Sequence, residues 1–285
     1  MTEGYAGWKA LIDLALAEDI GSGDVTTLST VPAATTATGV MTAKSPGVIS
    51  GLEAAAYALW RVDPRIEFTP KVRDGDAVAV GDVVAELSGP ARSILTGERT
   101  ALNLLQRLSG VATITAQFVA EIAGTGATIV DTRKTTPGLR QLEKAAVRHG
   151  GGHNHRFGLN DGVLIKDNHL AAVGGADRVT KAIAAARALA PHTVRVEVEV
   201  TTIAEVEEAV AAGADIIMFD NMSNVMMSEA VRIVAKRAIT EASGGVRLDT
   251  VRKIAETGVD LISVGALTHS APSVDISLTF ALGDN

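Results

Sequence analysis

The sequence predicts an α/β protein in which a βα barrel is accompanied by a smaller, β-rich domain. From about residue 110 onwards, short apolar runs alternate with helical segments, as in parallel strands joined by helical crossovers. Hydrophobic residues make up 47% of the chain and aromatic residues only 3%, which suits helices packed closely on parallel strands. Polar and glycine-rich segments follow the ends of separate strands, where a barrel has its mouth. A length of 285 residues suits two domains.

Charge, cysteine content and hydropathy limit the class of protein. A net charge of −7 argues against general binding of nucleic acids, which needs a broad basic surface. The chain has no cysteine, which excludes disulfides and thiolate chemistry and suits a reducing compartment. No apolar run approaches the roughly 18 residues of a membrane span, and no basic segment followed by an apolar one begins the chain. These features predict a cytoplasmic enzyme that binds neither nucleic acid nor membrane.

The N-terminal part is predicted to be a helix followed by a β-rich support domain. Apolar residues recur at helical spacing over residues 7–20, and Gly21 and Gly23 follow. We interpret these glycines as a structural turn, since no lysine and no strand-loop-helix context point to a phosphate loop. Residues 38–87 resemble biotinyl and lipoyl carrier domains in their turns, but no lysine occupies the hairpin tip.

A strongly helical segment over residues 93–108 precedes the regular βα pattern. Its leucines are spaced to face a core. Arg99 and Arg107 lie in the same helix and, from the residues alone, are interpreted as ordinary surface charges.

Six βα steps are expected after this helix. The strands are expected at 127–131, 162–166, 194–200, 215–220, 238–242 and 260–265. The helices are expected at 138–149, 176–190, 202–212, 224–237 and 247–257. This order fits a doubly wound sheet or a barrel. The barrel is favoured because charged residues fall at or just beyond the carboxyl ends of separate strands.

The stretch from Asp131 to Leu170 forms a local cationic basin. Between Arg133 and His169 it contains seven of the 26 Lys and Arg residues and four of the six histidines, but only three of the 33 acidic residues. Because the whole chain is acidic, this local excess predicts a small anionic ligand. Two apolar runs end in the basin, so two strand ends are expected to place cations at one rim.

The basic residues of the basin fall into two groups. Three recur every four residues and are interpreted as a solvated helix face: Arg140, Lys144 and Arg148. Four follow strands or glycines and are favoured as ligand-binding residues: Arg133, Lys134, Arg156 and Lys166. His153 and His155 are expected to bind anions rather than zinc, because no cysteine or acidic ligand lies at suitable spacing.

Acidic residues at two further strand ends add the opposite charge. Alternation along the strand places Glu197 and Glu199 on one face, and Asp220 ends the next strand. Two interpretations remain open. Glu197 and Glu199 form buried ion pairs with the basic cluster, or the carboxylates hold Mg²⁺ directly or through water.

Two glycine-rich loops follow the last two strands. Residues 243–245 (Ser-Gly-Gly) are expected to lie directly before a helix starting near Val246, and residues 263–266 (Ser-Val-Gly-Ala) follow the final strand. Both loops would present backbone N–H groups to a phosphate. Two such loops on consecutive strands predict a phosphate site.

Several segments, in order, resemble the quinolinate phosphoribosyltransferase family. They are DTRKTTPGLR, HNHRFGL, LIKDNH, VEVEV, MFDN, EASGG and SVGALTHS, preceded by AEDIGSGDVTT and GERTALN. The resemblance spans nearly the whole chain. It implies an N-terminal α/β sandwich domain (1–109), an incomplete seven-stranded α/β barrel (110–269) and a C-terminal segment (270–285) that returns to the first domain.

The same resemblance implies a reaction and its partners. Phosphoribosyl would pass from 5-phosphoribosyl-1-pyrophosphate to quinolinate with decarboxylation, giving nicotinate mononucleotide, pyrophosphate and CO₂ for NAD biosynthesis. Mg²⁺ is the implied cofactor. A homodimer with shared active sites, or a higher oligomer of dimers, is the implied assembly, with Arg99 supplied by the neighbouring subunit.

The resemblance also implies roles for individual residues. The catalytic residues would be Lys134, Glu199 and Asp220, of which Glu199 and Asp220 would also hold the metal. The substrate-binding residues would be Arg99, Thr132, Arg133, Lys134, His155, Arg156, Lys166, Glu199, Asp220, Ser243, Gly244, Gly245, Val264, Gly265 and Ala266. Bidentate guanidinium pairing suits the two carboxylates of quinolinate.

Three other classes of protein fit the sequence less well. A barrel lyase or isomerase with a phosphorylated substrate would not need so many cations for a second ligand. A paralogue with another ligand would be expected to lose part of the set formed by Arg133, Arg156 and Lys166, which is complete here. A carrier or scaffold protein is disfavoured by the missing carrier lysine.

Overall fold

The computed structural model describes residues 7–282 as helices, strands and connecting loops. The helices are α1 (Gly7–Ile20), α2 (Val25–Thr30), α3 (Leu52–Val62), α4 (Ala91–Glu121), α5 (Arg140–His149), α6 (Asp167–Val173), α7 (Arg178–Leu189), α8 (Ile203–Ala211), α9 (Asn224–Val234), α10 (Val251–Ala255) and α11 (Ala266–His269). The strands are β1 (Thr36–Ala43), β2 (Gly47–Val48), β3 (Glu67–Pro70), β4 (Ala77–Val78), β5 (Val83–Pro90), β6 (Thr128–Val130), β7 (Val163–Ile165), β8 (Val196–Val200), β9 (Ile216–Asp220), β10 (Ile239–Ser243), β11 (Leu261–Ser263) and β12 (Ile276–Leu282).

The described chain divides into two compact units. The first takes in residues up to Ala116, residues 135–151 and the segment from Leu267 onwards, and the second takes in residues 117–134 and 152–266. These units are not consecutive ranges of the sequence. The domain boundaries at residues 109 and 269 therefore stay predictions.

An antiparallel sheet in the order β12-β1-β5-β3 forms the centre of the first unit. Alternate residues of β1 are buried, as expected of a strand with one face on a core. Its partner β12 pairs with it from Ala37–Leu282 to Ala43–Ile276, so the far end of the chain completes this sheet. The leucines of α4 pack into the same unit, with Leu102, Leu105 and Leu108 at most 1% exposed.

The sequence suggested that Arg107 is an ordinary surface charge, and this interpretation is wrong. Its guanidinium pairs with the fully buried Glu143 of α5 at 3.0 Å and donates to the Ala271 carbonyl at 2.9 Å. Glu143 also accepts from the backbone N–H and the hydroxyl of Thr136. Within the first unit, this buried ion pair ties α4, α5 and the C-terminal segment together.

The solvated-face interpretation of α5 is wrong for one of its three basic residues. Lys144 is only 2% exposed, whereas Arg148 is exposed and Arg140 is half-buried, with its Nε donating to the Thr135 hydroxyl at 2.9 Å. The four-residue spacing therefore did not identify a uniformly solvated face, because Lys144 is buried while the basic residues one turn away on either side are at least partly exposed.

Six parallel strands in the order β6-β11-β10-β9-β8-β7 form the second unit with their crossover helices. The strands are short and mostly buried, as parallel strands covered on both faces must be. In register, Glu199 of β8 lies opposite Met218, and Asp220 of β9 lies opposite Ser243. The carboxyl ends of neighbouring strands are therefore level and form one rim.

The seventh strand is reduced to a single bridging residue in the described part of the chain. His153 makes an isolated parallel bridge to Val130. Its N–H donates to the Ile129 carbonyl at 2.9 Å, and its own carbonyl accepts from the Asp131 N–H at 3.1 Å. Among residues 7–282, no strand pairing joins this bridge to β7, so the α/β barrel is incomplete.

The predicted strands and helices are present, with ends shifted by a few residues. The helix predicted at 93–108 continues to Glu121, and helices α2, α3, α6 and α11 were not predicted. The helix after the Ser243 loop begins at Val251 and has five residues, so the prediction that it starts near Val246 is wrong. In the described part of the chain, no helix has the length and hydropathy needed to cross a membrane.

Candidate active site

A cavity of about 510 Å³ lies at the carboxyl ends of the barrel strands in the second unit. The side chains and loops around it come from the ends of all six strands and from residues 153–156, the bridging segment that contains His153. The lining residues are Thr132, Arg133, Lys134, His155, Arg156, Leu164, Lys166, Glu199, Met218, Asp220, Asn221, Glu241, Ser243, Gly244, Gly245 and Ser263. Because the mouth of an α/β barrel is where its ligands bind, this cavity is the candidate active site.

Asp131 joins the end of β6 to the bridging segment beside it. The carboxylate is fully buried and accepts from the His155 N–H at 2.8 Å and from the Asn154 side-chain amide at 2.7 Å. These contacts fix the backbone on both sides of the cavity wall. Arg133 and His155 are thereby held on neighbouring segments, which explains how residues more than twenty positions apart line one cavity.

The tautomer of His155 follows from its neighbours. Its Nδ1 lies 2.8 Å from the Arg156 backbone N–H, and a backbone N–H can only donate. The ring proton is therefore on Nε2, which lies 3.1 Å from a Glu197 oxygen. Since both ring nitrogens are engaged within the protein, His155 presents its ring to the cavity as a neutral group. In this structure His155 does not contribute to the positive charge that the cationic basin predicts.

Arg156 carries its charge into a half-buried position. One terminal nitrogen donates to the Gly162 carbonyl at 2.9 Å. Burial lowers the pKa of this guanidinium, and the nearby Arg133 lowers it further. An arginine whose pKa is lowered by a neighbouring arginine has an electrostatic need for an anion. Arg133 and Arg156 together therefore place two positive charges at the cavity.

Lys166 and Glu199 form an ion pair across the ends of β7 and β8. Their Nζ and Oε2 atoms are 2.9 Å apart, and the Glu199 side chain is 11% exposed against 47% for Lys166. In this structure Glu199 therefore matches the first interpretation, in which an acidic residue at a strand end forms an ion pair with the basic cluster. The backbone N–H of Lys166 donates to His169 Nδ1 at 2.8 Å, which fixes the start of α6.

Asp220 and the loop after β10 form the adjoining part of the cavity wall. An Asp220 oxygen accepts from the Asn221 side chain at 2.8 Å, and Asn221 has a left-handed φ of 53°. Gly244 also has a left-handed φ, of 95°, and a Cβ there would overlap the Asn221 side chain. This loop therefore requires glycine. Because α10 begins only at Val251, any anion here would meet loop N–H groups and not a helix end.

Glu197 and Glu241 place two carboxyl groups beneath the cavity. Glu197 is 3% exposed and Glu241 is fully buried. With His155 they bring three potential metal-ligand atoms within 4.8 Å of one another. The expectation that no acidic ligand lies at suitable spacing for a metal site is therefore wrong for His155 in three dimensions. It rested on spacing along the chain, which cannot show which strands are neighbours.

Four predicted site residues do not line this cavity. Arg99 belongs to α4 in the first unit, where it is exposed. Three residues after β11 are absent from the cavity lining: Val264, Gly265 and Ala266. Four lining residues were not predicted: Leu164, Met218, Asn221 and Glu241. Ser263, which also lines the cavity, belongs to the predicted phosphate loop of residues 263–266. Glu241 had a usable signal, because it lies two positions before Ser243 in one strand and so shares its face.

This fold and this site define a class of protein: an α/β barrel with a cavity lined by cationic side chains at its mouth. The family model for the C-terminal domain of quinolinate phosphoribosyl transferase matches residues 111–279, and the model for its N-terminal domain matches residues 24–109. The chain belongs to the quinolinate phosphoribosyl transferase family.

Individual relatives agree with this assignment over nearly the full length. The chain is 45% identical to a probable nicotinate-nucleotide pyrophosphorylase (carboxylating) of Bacillus subtilis, covering 97% of this chain and 94% of the relative. It is 43% identical to a quinolinate phosphoribosyltransferase (decarboxylating) of Nicotiana tabacum, covering 95% and 81%. The solved structure of NadC from Streptococcus pyogenes matches it with a TM-score of 0.92 and 44% identity, covering 96% of each chain.

Proposed function

We propose that the protein transfers phosphoribosyl from 5-phosphoribosyl-1-pyrophosphate to quinolinate and releases pyrophosphate and CO₂. The product is nicotinate mononucleotide, a precursor in NAD biosynthesis. The relatives that share the whole chain carry the names of this activity. The observation on this molecule that carries the proposal is the convergence of Arg133, Arg156 and Lys166 on one cavity of about 510 Å³.

Three cations on one cavity suit the two carboxylates of quinolinate. The positive charge of Arg133 helps to lower the pKa of the Arg156 guanidinium, a conflict that a bound carboxylate would relieve. Lys166 would exchange its Glu199 partner for the second carboxylate. That exchange would free Glu199 to face the sugar, so one binding event would prepare both halves of the site.

The transfer itself needs no nucleophilic side chain. As pyrophosphate leaves, positive charge develops on the ribose, and Glu199 and Asp220 line the cavity as candidate stabilisers of that charge. Lys134 lines it as a candidate partner of the leaving pyrophosphate. The bound ring then meets the sugar in a fixed orientation. Once its nitrogen is alkylated, the pyridinium withdraws the electrons that the departing CO₂ leaves on the ring.

Glu199 and Asp220 fit Mg²⁺ as a cofactor. Mg²⁺ keeps several waters and is often bound through one or two carboxylates together with substrate phosphates. Two carboxylates on the cavity wall, facing a substrate that brings its own pyrophosphate, are such a donor set. When bound, Mg²⁺ would supply positive charge to the leaving pyrophosphate. Glu199 would have to release Lys166 first, since the two are paired at 2.9 Å.

The phosphate of the sugar would bind at the loop after β10. Gly244 and Gly245 both have left-handed φ values, of 95° and 60°, and both line the cavity. Consecutive glycines of this kind let backbone N–H groups approach an anion closely. We extend this part of the proposal to residues 264–266, whose position directly after β11 supports a contribution through the backbone.

A homodimer with shared active sites completes the proposal. Arg99 is exposed on α4, and its place in the family pattern supports its being donated to the active site of a second copy. Location in the cytoplasm is likewise a prediction from the cysteine-free composition.

One assay tests the activity. Pyrophosphate release from 5-phosphoribosyl-1-pyrophosphate should require quinolinate, and nicotinate mononucleotide should form. The control is nicotinate, which lacks the second carboxylate. If nicotinate supports release as well as quinolinate does, the two-carboxylate interpretation of the cationic cavity is wrong.

A further inference from the structure

Glu241 is a buried acid that the proposed binding contacts leave unused. It is fully buried, and neither of its oxygens has a hydrogen-bond partner among residues 7–282. The nearby Ser263 hydroxyl donates to the Ala242 carbonyl at 3.3 Å. A carboxylate without hydrogen bonds in such a place would be strongly destabilised, so the group needs either a proton or a ligand.

Its surroundings favour a proton over a metal. Glu197 on β8 and Lys166 at the end of β7 are charged groups that act on Glu241, and the His155 ring of the bridging segment lies beside it. His155 lies 3.7 Å away, but its Nε2 carries the ring proton towards Glu197 and therefore has no lone pair to offer a metal. Glu197 also has one buried oxygen without a hydrogen-bond partner in the described chain. The negative charge of Glu197 therefore favours a proton on Glu241.

The electrostatics agree with the geometry. Burial raises the pKa of Glu241 to about 7, with the negative charge of Glu197 as the next cause, while the positive charge of Lys166 acts in the opposite direction. Acids that work near neutral pH have pKa values in this range.

Glu241 also lies between two spaces. It lines the candidate active site, and it lines a second cavity of about 360 Å³ in the same unit. Only His155 and Arg156 share that double position among the described residues. Charged and polar groups such as Asp161, Asn154 and Arg195 line the second cavity, so water can occupy it. A proton given to the active-site side can be replaced from this side.

The proposed reaction contains a step that requires such a proton. When CO₂ leaves, the bond from ring carbon 2 to the carboxylate breaks and its electron pair stays on that carbon. The carbon must then take up a proton to give nicotinate mononucleotide. Nothing in the phosphoribosyl transfer supplies that proton.

We propose that Glu241 is the acid that protonates carbon 2 of the pyridine ring during decarboxylation. The O–H bond of its carboxyl group breaks, the C–H bond of the ring forms, and Glu241 is left as a carboxylate. Water then returns one proton before the next turnover. This inference rests on the proposed function.

A single-turnover experiment separates this step from the first. The Glu241→Gln enzyme, which keeps the shape but has no acidic proton, is mixed with quinolinate and 5-phosphoribosyl-1-pyrophosphate, and pyrophosphate and nicotinate mononucleotide are measured over time. Pyrophosphate should form at the wild-type rate. Formation of nicotinate mononucleotide should slow by about 100-fold or more, with the undecarboxylated nucleotide accumulating. Glu229→Gln, which changes an exposed acid of α9, is the matched control and should leave both rates unchanged.

Two further measurements keep the outcome decisive. Quinolinate affinity of the Glu241→Gln enzyme should match that of the wild type. If the variant does not bind quinolinate, the wild-type enzyme is compared in H₂O and D₂O, where nicotinate mononucleotide formation should slow in D₂O and pyrophosphate formation should not. Product formation as fast as pyrophosphate formation in the variant, or no solvent effect, would overturn the proposal. So would one Mn²⁺ per site that binds to the wild type and not to the variant. In each case quinolinate-dependent pyrophosphate release by the wild type would still support the proposed function.

Discussion

Substitution of Lys166 or Arg156 should distinguish the binding of quinolinate from the binding of 5-phosphoribosyl-1-pyrophosphate. Truncating either to alanine would leave a buried quinolinate carboxylate without its charged partner. We expect a loss of roughly 2–5 kcal/mol in quinolinate binding and a much smaller loss for 5-phosphoribosyl-1-pyrophosphate. Isothermal titration of each ligand measures both effects.

Lys181→Ala is the matched control for that experiment. Lys181 is an exposed cation in the same unit, paired with Asp177 at 2.7 Å. It should change neither affinity. Equal weakening of both ligands in the Lys166 or Arg156 variant would assign that residue to the phosphate site instead.

Glu241 should also leave a signature in stability. A glutamate carboxyl group that is not buried has a pKa of about 4.5, whereas burial raises the pKa of Glu241 to about 7 in the folded chain. The folded state therefore binds more protons than the unfolded state across this range, and its contribution to stability is lost as pH rises from about 4.5 to about 7. The loss is on the order of 3 kcal/mol.

Urea unfolding of the wild type and of Glu241→Gln at pH 5, 6 and 7 measures this contribution. The variant has no proton to lose at this position. Its free energy of unfolding should therefore rise relative to the wild type as pH increases. A constant difference across the series would mean that Glu241 is already ionised at pH 5.

At the scale of single elements, the loop after β10 requires glycine at position 244. Gly244→Ala would place a Cβ on the Asn221 side chain at a left-handed φ of 95°. Accommodating it should cost about 1–3 kcal/mol and distort the loop. We expect weaker binding of 5-phosphoribosyl-1-pyrophosphate with quinolinate affinity nearly unchanged.

Gly126→Ala serves as the control for this substitution. Gly126 lies in the same unit, and a Cβ there has no neighbour within 4 Å and no left-handed φ to strain it. Both variants are compared by ligand titration and thermal unfolding. If Gly244→Ala binds the sugar pyrophosphate normally, the loop is not the phosphate site.

The strands and helices of the second unit were predictable because each carries its own periodic pattern. Apolar runs such as Val163–Ile165 and Ile216–Asp220 are bounded by turn residues and are recognisable one at a time. Helix α6 was missed because the residues after Lys166 look like a binding loop, and its start depends on a side-chain contact from His169.

Site residues were predictable only where a charged residue follows a recognisable strand in the sequence. Lys166 directly follows an apolar run and Arg133 follows another closely, so both could be assigned to strand ends. The contact of His155 with Glu197 and Glu241 joins three segments of the barrel, and no spacing in the sequence records which strands become neighbours. Burial was invisible for the same reason, as Lys144 shows with 2% exposure in a helix that reads as solvated.

At the scale of the whole molecule, the shared-site proposal predicts recovery of activity from two inactive proteins. An Arg99→Ala subunit keeps an intact barrel cavity, while a Lys166→Ala subunit keeps the donated arginine. Random exchange of subunits would make about half of the dimers mixed, each with one complete site of two, so activity should return to roughly a quarter of the wild-type value.

Pyrophosphate release after subunit exchange measures this recovery, and light scattering gives the mass of the assembly. Each mutant alone, taken through the same exchange procedure, is the control. A monomer in solution, or a mixture that stays inactive after exchange, would return Arg99 to the role of an ordinary surface charge.

The pairing of β1 with β12 has a consequence for how the chain folds during synthesis. The two strands lie more than 230 residues apart, from Ala37–Leu282 to Ala43–Ile276. Every residue of the second unit, which ends at Ala266, leaves the ribosome before β12 does. The barrel can therefore assemble while the antiparallel sheet still lacks an edge strand, and β1 must wait with an unpaired edge. The unit that begins first along the chain is the one that is completed last.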